Sequence, residues 1–211
     1  MKVKTHFAWL TGFCAVLATT LALPASAAVP GLYFNADVGA NWAQDADVKR
    51  EGPFGANITD DLETDVGFRF SAGVGYNLNH NWGVEFDTGY VWNGIKDSGD
   101  SSFSHIPFIV NVVYRYPIGA KLETYIGGGV GGVYSVFTAD DGPLDDDDAD
   151  VVFGWQAIAG IRYLLSETMS VGVGYKYMGT DEGEYDINGL GKFKIDSVHN
   201  HSFSAVFNWK F

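Results

Sequence analysis

The sequence predicts an all-β protein: an eight-stranded antiparallel up-and-down transmembrane β-barrel that follows an N-terminal signal peptide. Three observations lead there. The chain ends in Val198-His-Asn-His-Ser-Phe-Ser-Ala-Val-Phe-Asn-Trp-Lys-Phe211, where Phe203, Ala205, Phe207, Trp209 and Phe211 lie on one face and Ser202, Ser204, Asn208 and Lys210 on the other. Seven earlier segments alternate with the same polarity, and the connections between segments are alternately long and tight. An amphipathic, aromatic strand at the very end of a chain is a liability in water, whereas a barrel in lipid uses it to close against the first strand.

The elements follow in order. Lys2 and Lys4 precede an apolar run from about Phe7 to Leu23, which ends in Pro24 and Ala25-Ser26-Ala27. That is the pattern of a secretory leader with a small-residue cleavage site, so residues 1–27 are read as a signal peptide and 28–211 as the barrel. A retained anchor fits less well, because the run is short for a bilayer-spanning helix and stops at a helix breaker. Cys14, the only cysteine, falls inside the leader, which leaves no disulfide to expect. Without Lys2 and Lys4 the chain keeps eleven basic against twenty-six acidic residues, a formal charge of −15. Such a balance disfavours a nucleic-acid partner.

The first alternating segment, Leu32 to Trp42, sets Leu32, Phe34, Ala36, Val38, Ala40 and Trp42 against Tyr33, Asn35, Asp37, Gly39 and Asn41. In the second, Phe68, Phe70, Ala72, Val74 and Tyr76 oppose Arg69, Ser71 and Asn77. The third sends Trp82, Val84, Phe86, Thr88, Tyr90 and Trp92 one way and Glu85 and Asp87 the other, and in the fourth Phe108, Val110, Val112, Tyr114 and Tyr116 oppose Asn111 and Arg115. The fifth, Leu122 to Val136, is blurred by five glycines between 127 and 132; Ile126, Val130 and Tyr134 read as outward, with room for a bulge. The sixth sets Phe153, Trp155, Ala157, Ala159, Ile161 and Tyr163 against Gln156 and Arg162, and the seventh sets Val171, Val173, Tyr175 and Tyr177 against Lys176. The terminal segment makes eight.

Alternation alone also describes a soluble barrel of the lipocalin kind. The polarity of the faces decides against it. A water-soluble barrel would have to crowd the aromatic face into a bore that ordinary side chains already fill. Turned the other way, the apolar face meets lipid while Asp37, Arg69, Glu85, Asp87, Arg115, Gln156, Arg162 and Lys176 line the lumen. The links near 79–81, 117–120 and 165–168 are short, and those at about 43–64, 93–104, 137–150 and 179–197 are long. Short turns in the periplasm and long loops outside is the outer-membrane pattern, which places both termini in the periplasm. Two aromatic girdles fit the same orientation, with Tyr76, Trp82, Tyr114, Tyr116, Tyr163, Trp209 and Phe211 at one rim and Trp42, Tyr90, Trp92, Phe153, Trp155 and Tyr177 at the other.

Tyr125-Ile-Gly-Gly-Gly-Val-Gly131, Phe153-Gly-Trp-Gln-Ala-Ile-Ala-Gly-Ile-Arg-Tyr163, Val171-Gly-Val-Gly-Tyr-Lys-Tyr177 and Phe207-Asn-Trp-Lys-Phe211 together resemble the small eight-stranded outer-membrane barrels of the OmpA-like and opacity-protein type. The resemblance spans the chain after the leader. It implies a Gram-negative cell outer membrane, contact with lipid and lipopolysaccharide, and a terminal aromatic, here Phe211, read by the barrel-assembly machinery. It implies a range of functions: surface adhesion, envelope integrity, and passage of small solutes.

Seven charged lumen residues, Asp37, Arg69, Glu85, Asp87, Arg115, Arg162 and Lys176, are expected to pair into a polar network that plugs the bore rather than form a selectivity filter. The densest acidic runs, Asp140 to Asp150 and Asp181 to Asp186, lack the spacing of an EF-hand, so they read as solvated, self-repelling loops and not as a metal site. No catalytic site or cofactor is expected. His201 and Ser202 point to opposite faces, as do Ser104 and His105, and His80 lies in a turn. The expectation is a non-enzymatic barrel acting in surface interaction or envelope integrity, through a host or envelope ligand at the loops. The alternative is a narrow porin-like channel.

Overall fold

The computed structural model describes residues 31–44, 46–51, 57–62, 64–96, 101–141, 144–187, 191–195 and 197–211; the expected signal peptide lies outside them. Twelve strands run through the described residues: β1 (Gly31–Ala43), β2 (Ala46–Glu51), β3 (Asn57–Leu62), β4 (Gly67–Asn77), β5 (Trp82–Gly94), β6 (Ser102–Ile118), β7 (Leu122–Asp141), β8 (Leu144–Leu164), β9 (Met169–Thr180), β10 (Gly183–Ile187), β11 (Gly191–Ile195) and β12 (His199–Lys210). Eight of them close an antiparallel barrel in the order β1-β12-β9-β8-β7-β6-β5-β4, and the other four form a second sheet in the order β10-β11-β2-β3.

Closure is made by the terminal strand. β12 pairs with β1 from Tyr33↔Lys210 to Ala43↔Asn200, and the Phe211 amide donates to the Leu32 carbonyl at 3.0 Å. Closure leaves no free ladder edge in the barrel wall, the condition for crossing a bilayer with strands. Along every barrel strand the two faces separate as the alternation requires. Arg69, Asn41 and Asn111 are fully buried inside, while Phe70, Val38 and Phe86 stand outside. The glycine-rich β7 keeps its register with β6 from Ser102↔Thr138 to Ile118↔Leu122 without a bulge, so Ile126, Val130 and Tyr134 all face outward.

The three short connections are capped locally. Asn79 Oδ1 accepts from the amides of Asn81 and Trp82, Ser166 Oγ accepts from the Met169 amide, and Gly119 supplies the left-handed conformation (φ 69°) that ends β6. One rung is missing from the wall. The β5–β6 ladder holds its register from Thr88↔Phe108 to Val91↔His105 but lacks the pairs at 89/107 and 90/106. Pro107 has no N–H to give the Gly89 carbonyl, which accounts for both.

The long connections differ from expectation. The segments expected as loops at 43–64 and 179–197 carry β2, β3, β10 and β11, and β11 pairs with β2 through Lys194↔Lys49. The segment expected as an open acidic loop at 137–150 is also corrected: β7 and β8 run on as a hairpin, paired as far as Asp141↔Leu144, with Asp145 to Asp150 inside β8. β7 is already paired with β6 from Leu122 to Thr138, so it offers β8 a ready ladder, and that outweighs the mutual repulsion of successive aspartates. The hairpin also holds the second sheet, since the Glu184 amide donates to Asp150 Oδ2 at 3.3 Å and the Asp181 amide to the Phe153 carbonyl at 2.9 Å.

Candidate functional site

The lumen is built in layers, read from the short-turn end upward. Lowest, Arg162 Nη2 meets Glu123 Oε1 at 2.8 Å, with the Arg162 guanidinium 4.6 Å from the centre of the Tyr125 ring. Two strands along the wall, Arg115 on β6 donates to Asn77 Oδ1 at 2.7 Å and lies 4.5 Å from the Tyr33 ring. Glycines make the space: a Cβ at Gly75 would strike Tyr33, one at Gly160 or Gly174 would strike Tyr125, and one at Gly83 would strike Arg115. The stacked phenol rings therefore claim more of this room than the long cations do.

The middle layer spans the bore. Lys176 Nζ on β9 lies 2.7 Å from Asp37 Oδ2 on β1 and 2.8 Å from Asp87 Oδ2 on β5. In the closed order β9 and β5 are four strands apart in either direction, so the second pair crosses a diameter. Arg69 on β4 and Gln156 on β8 are likewise opposed, and Arg69 Nη2 donates to Gln156 Oε1 at 3.3 Å while standing 3.6 Å from Asp87 Oδ2. Gln156 Nε2 donates onward to Asn111 Oδ1 at 2.9 Å and Asp87 Oδ2 at 3.2 Å. Two diameters strutted by charge-assisted contacts leave little bore. The enclosed space beside them, lined by residues including Asp37, Glu85, Arg115, Arg162 and Lys176, has a volume of about 20 Å³, room for one water.

Above the struts the lumen turns apolar. Val91, Ile109, Val133, Val152 and Met178 form a packed cluster toward the long-connection end. Beside it Asn41 donates to Asn93 Oδ1 at 2.6 Å and Asn200 Oδ1 at 2.8 Å, and Ser202 donates to Asn41 Oδ1 at 2.6 Å.

Every sequence-predicted lumen residue lies inside. Asp37, Asp87, Lys176 and Arg69 come together, Arg115 and Arg162 make separate contacts lower down, and Glu85 is buried beside the small cavity. Sequence reasoning missed Glu123. With it, the buried ionisable groups among the described residues, histidine aside, are four cationic (Arg69, Arg115, Arg162, Lys176) against four acidic (Asp37, Glu85, Asp87, Glu123), so the formal charges balance. The available signal was its place two residues before Tyr125 on the inward face of β7. Also missed was Ser135, the cross-strand neighbour of His105, whose Oγ lies 2.8 Å from His105 Nδ1 in a fully buried pair. His201 faces outward and Ser202 inward, while Phe211 stands exposed at the short-turn rim.

Residues 13–211 match the family described as the outer membrane protein beta-barrel domain. Among curated proteins none matches in sequence. The fold is similar to that of OprG, an outer membrane protein of Pseudomonas aeruginosa (TM-score 0.58, 19% identity, covering 86% of this chain and 96% of OprG). It is similar also to Neisserial surface protein A (TM-score 0.55, 17% identity, 85% and 97%) and to the outer membrane protein AlkL, solved in DMPC bilayers (TM-score 0.54, 18% identity, 90% and 94%). At these identities the likeness is one of fold.

Proposed function

The chain belongs to the outer membrane protein beta-barrel family, and from that premise we propose a non-enzymatic, non-conducting barrel that works by surface interaction or envelope support. Its working surface is the second sheet with the acidic β7–β8 hairpin. That end faces the cell exterior, and both termini lie in the periplasm. The observation that carries this reading is the Lys176–Asp87 pair across the lumen diameter, with the apolar cluster stacked above it. A bore held shut by buried, mutually neutralising charges has no continuous water path, so function falls to what the barrel displays.

The displayed surface is acidic in Asp148, Asp150, Asp181, Glu182 and Glu184, with Lys194 held between Glu182 at 3.0 Å and Glu184 at 2.9 Å. It suits a cationic patch on a host or envelope ligand. Phe211, exposed at the closing strand, serves the assembly machinery. The test displays the protein on cells with and without residues 46–62 and 183–195, removed together because they share one sheet. Binding to host-matrix and envelope components is expected to disappear with the sheet, and undiminished binding refutes the reading.

A further inference from the structure

The outer wall of the barrel carries a polar device that a lipid-facing surface does not need. Toward the long-connection end, seven rings run edge to edge across four strands: Trp155 on β8, His199 and His201 on β12, Tyr177 and Tyr175 on β9, Phe203 on β12 and Trp42 on β1. Neighbouring centroids lie between 4.8 Å (Tyr177–His201) and 6.2 Å (Trp155–His199) apart. Aromatics at this depth form an ordinary interfacial belt. Two imidazoles hydrogen-bonded to tyrosines within it do not.

The proton positions follow from the donors. Gln44 Nε2 lies 2.8 Å from His201 Nε2, and an amide nitrogen can only donate, so His201 Nε2 accepts. The proton of the neutral ring then sits on Nδ1, which donates to Tyr175 Oη at 2.7 Å. That leaves the Tyr175 O–H free to donate away from the wall. Beneath it lies a shallow, open and largely apolar groove lined by Trp42, Tyr175, His201 and Phe203.

We propose that this groove seats one acyl chain of lipopolysaccharide, with the carbonyl of its ester or amide linkage accepting the Tyr175 hydroxyl proton. The groove is continuous with the wall that the family's membrane location gives to lipid, so its occupant is a lipid chain. A neutral donor set beside an acidic end suits an uncharged carbonyl better than a phosphate, and acyl linkages lie at the depth of the aromatic belt. The choice of lipopolysaccharide over phospholipid rests on the outward placement of the long-connection end proposed above.

The test uses the full chain in nanodiscs of phosphatidylethanolamine with and without lipopolysaccharide, with retained lipid counted by native mass spectrometry. Tyr175→Phe keeps the ring and removes the donor, and His201→Phe removes the relay. Tyr175→Phe is expected to lower lipopolysaccharide retention about fivefold, the equivalent of one ordinary hydrogen bond, and His201→Phe, which leaves the hydroxyl in place without its orienting partner, by a smaller factor. Tyr134→Phe, on the opposite wall, is expected to leave retention unchanged. Heat-modifiable gel mobility checks that each variant is folded. Equal retention by wild type, Tyr175→Phe and His201→Phe overturns the groove as a site. Retention that depends on Tyr175 but selects phosphatidylethanolamine overturns the outward placement and leaves the groove standing.

Discussion

Replacing Lys176 with methionine removes one ammonium and keeps the volume of the side chain. In the folded barrel that ammonium contacts Asp37 at 2.7 Å and Asp87 at 2.8 Å, and it is itself nearly buried. After the change Asp87 keeps Arg69 at 3.6 Å and the Gln156 amide at 3.2 Å, while Asp37 loses the cation it touches. Removing one partner of a buried ion pair costs about 3–5 kcal/mol, because the other charge stays out of water. In a water-filled bore the same pair would be solvated and its loss would cost about 1 kcal/mol or less. Urea unfolding in lipid vesicles, followed by tryptophan emission and gel mobility, separates the two cases. The expected loss is about 3–5 kcal/mol, and Lys176→Met with Asp37→Asn should recover much of it because the stranded acid is neutralised. A loss of about 1 kcal/mol or less for the single variant would refute the sealed-lumen argument.

Other consequences concern the lumen glycines, the broken rung and the displayed sheet. Gly160→Val drives a side chain into both Tyr125 and the Val173 carbonyl and should cost about 1–3 kcal/mol in the same unfolding assay; a neutral result would contradict the close packing around this glycine. Pro107→Ala restores the missing N–H between β6 and β5, so the new amide at 107 should be protected in hydrogen exchange, and rapid exchange there would contradict the single-rung account. The two carboxylates on Lys194, Glu184 foremost, hold its pKa above the ordinary lysine value of about 10.4. A raised folded pKa means that whatever these pairs contribute is present throughout neutral pH and fades only as pH rises through the folded value. An NMR titration of the Lys194 ammonium should show a midpoint above that of free lysine, and an ordinary midpoint would dissolve the pairs.

The barrel was legible because burial in lipid imposes a period of two that little else in a sequence imitates. Phe68, Phe70, Val74 and Tyr76 against Arg69 and Ser71 leave one orientation for β4, and the structure has it. Legibility failed where that constraint lapses. Asp145 to Asp150 carry no alternation of polar with apolar residues, so they read as a loop although they extend β8. Glu123 was missed for a related reason: Gly127, Gly129 and Gly131 fall on the inward face of β7 and leave that half of the pattern nearly blank. The diametric pairing of β9 with β5 follows from strand count, but which lumen charge reaches which depends on stagger between strands, and a single sequence does not encode that visibly. The outer groove was partly visible as aromatic residues of one girdle. The Gln44–His201–Tyr175 relay was not, because Gln44 lies past the end of the alternating segment.

The central claim is that this barrel is shut and acts through what it displays. The most direct measurement is single-channel recording of the purified full chain in planar bilayers at neutral pH. The account predicts no steady conductance, because Lys176–Asp87 and Arg69–Gln156 cross the bore and the apolar cluster around Ile109 and Met178 closes it above. Stable, uniform current steps from the wild-type protein would contradict it.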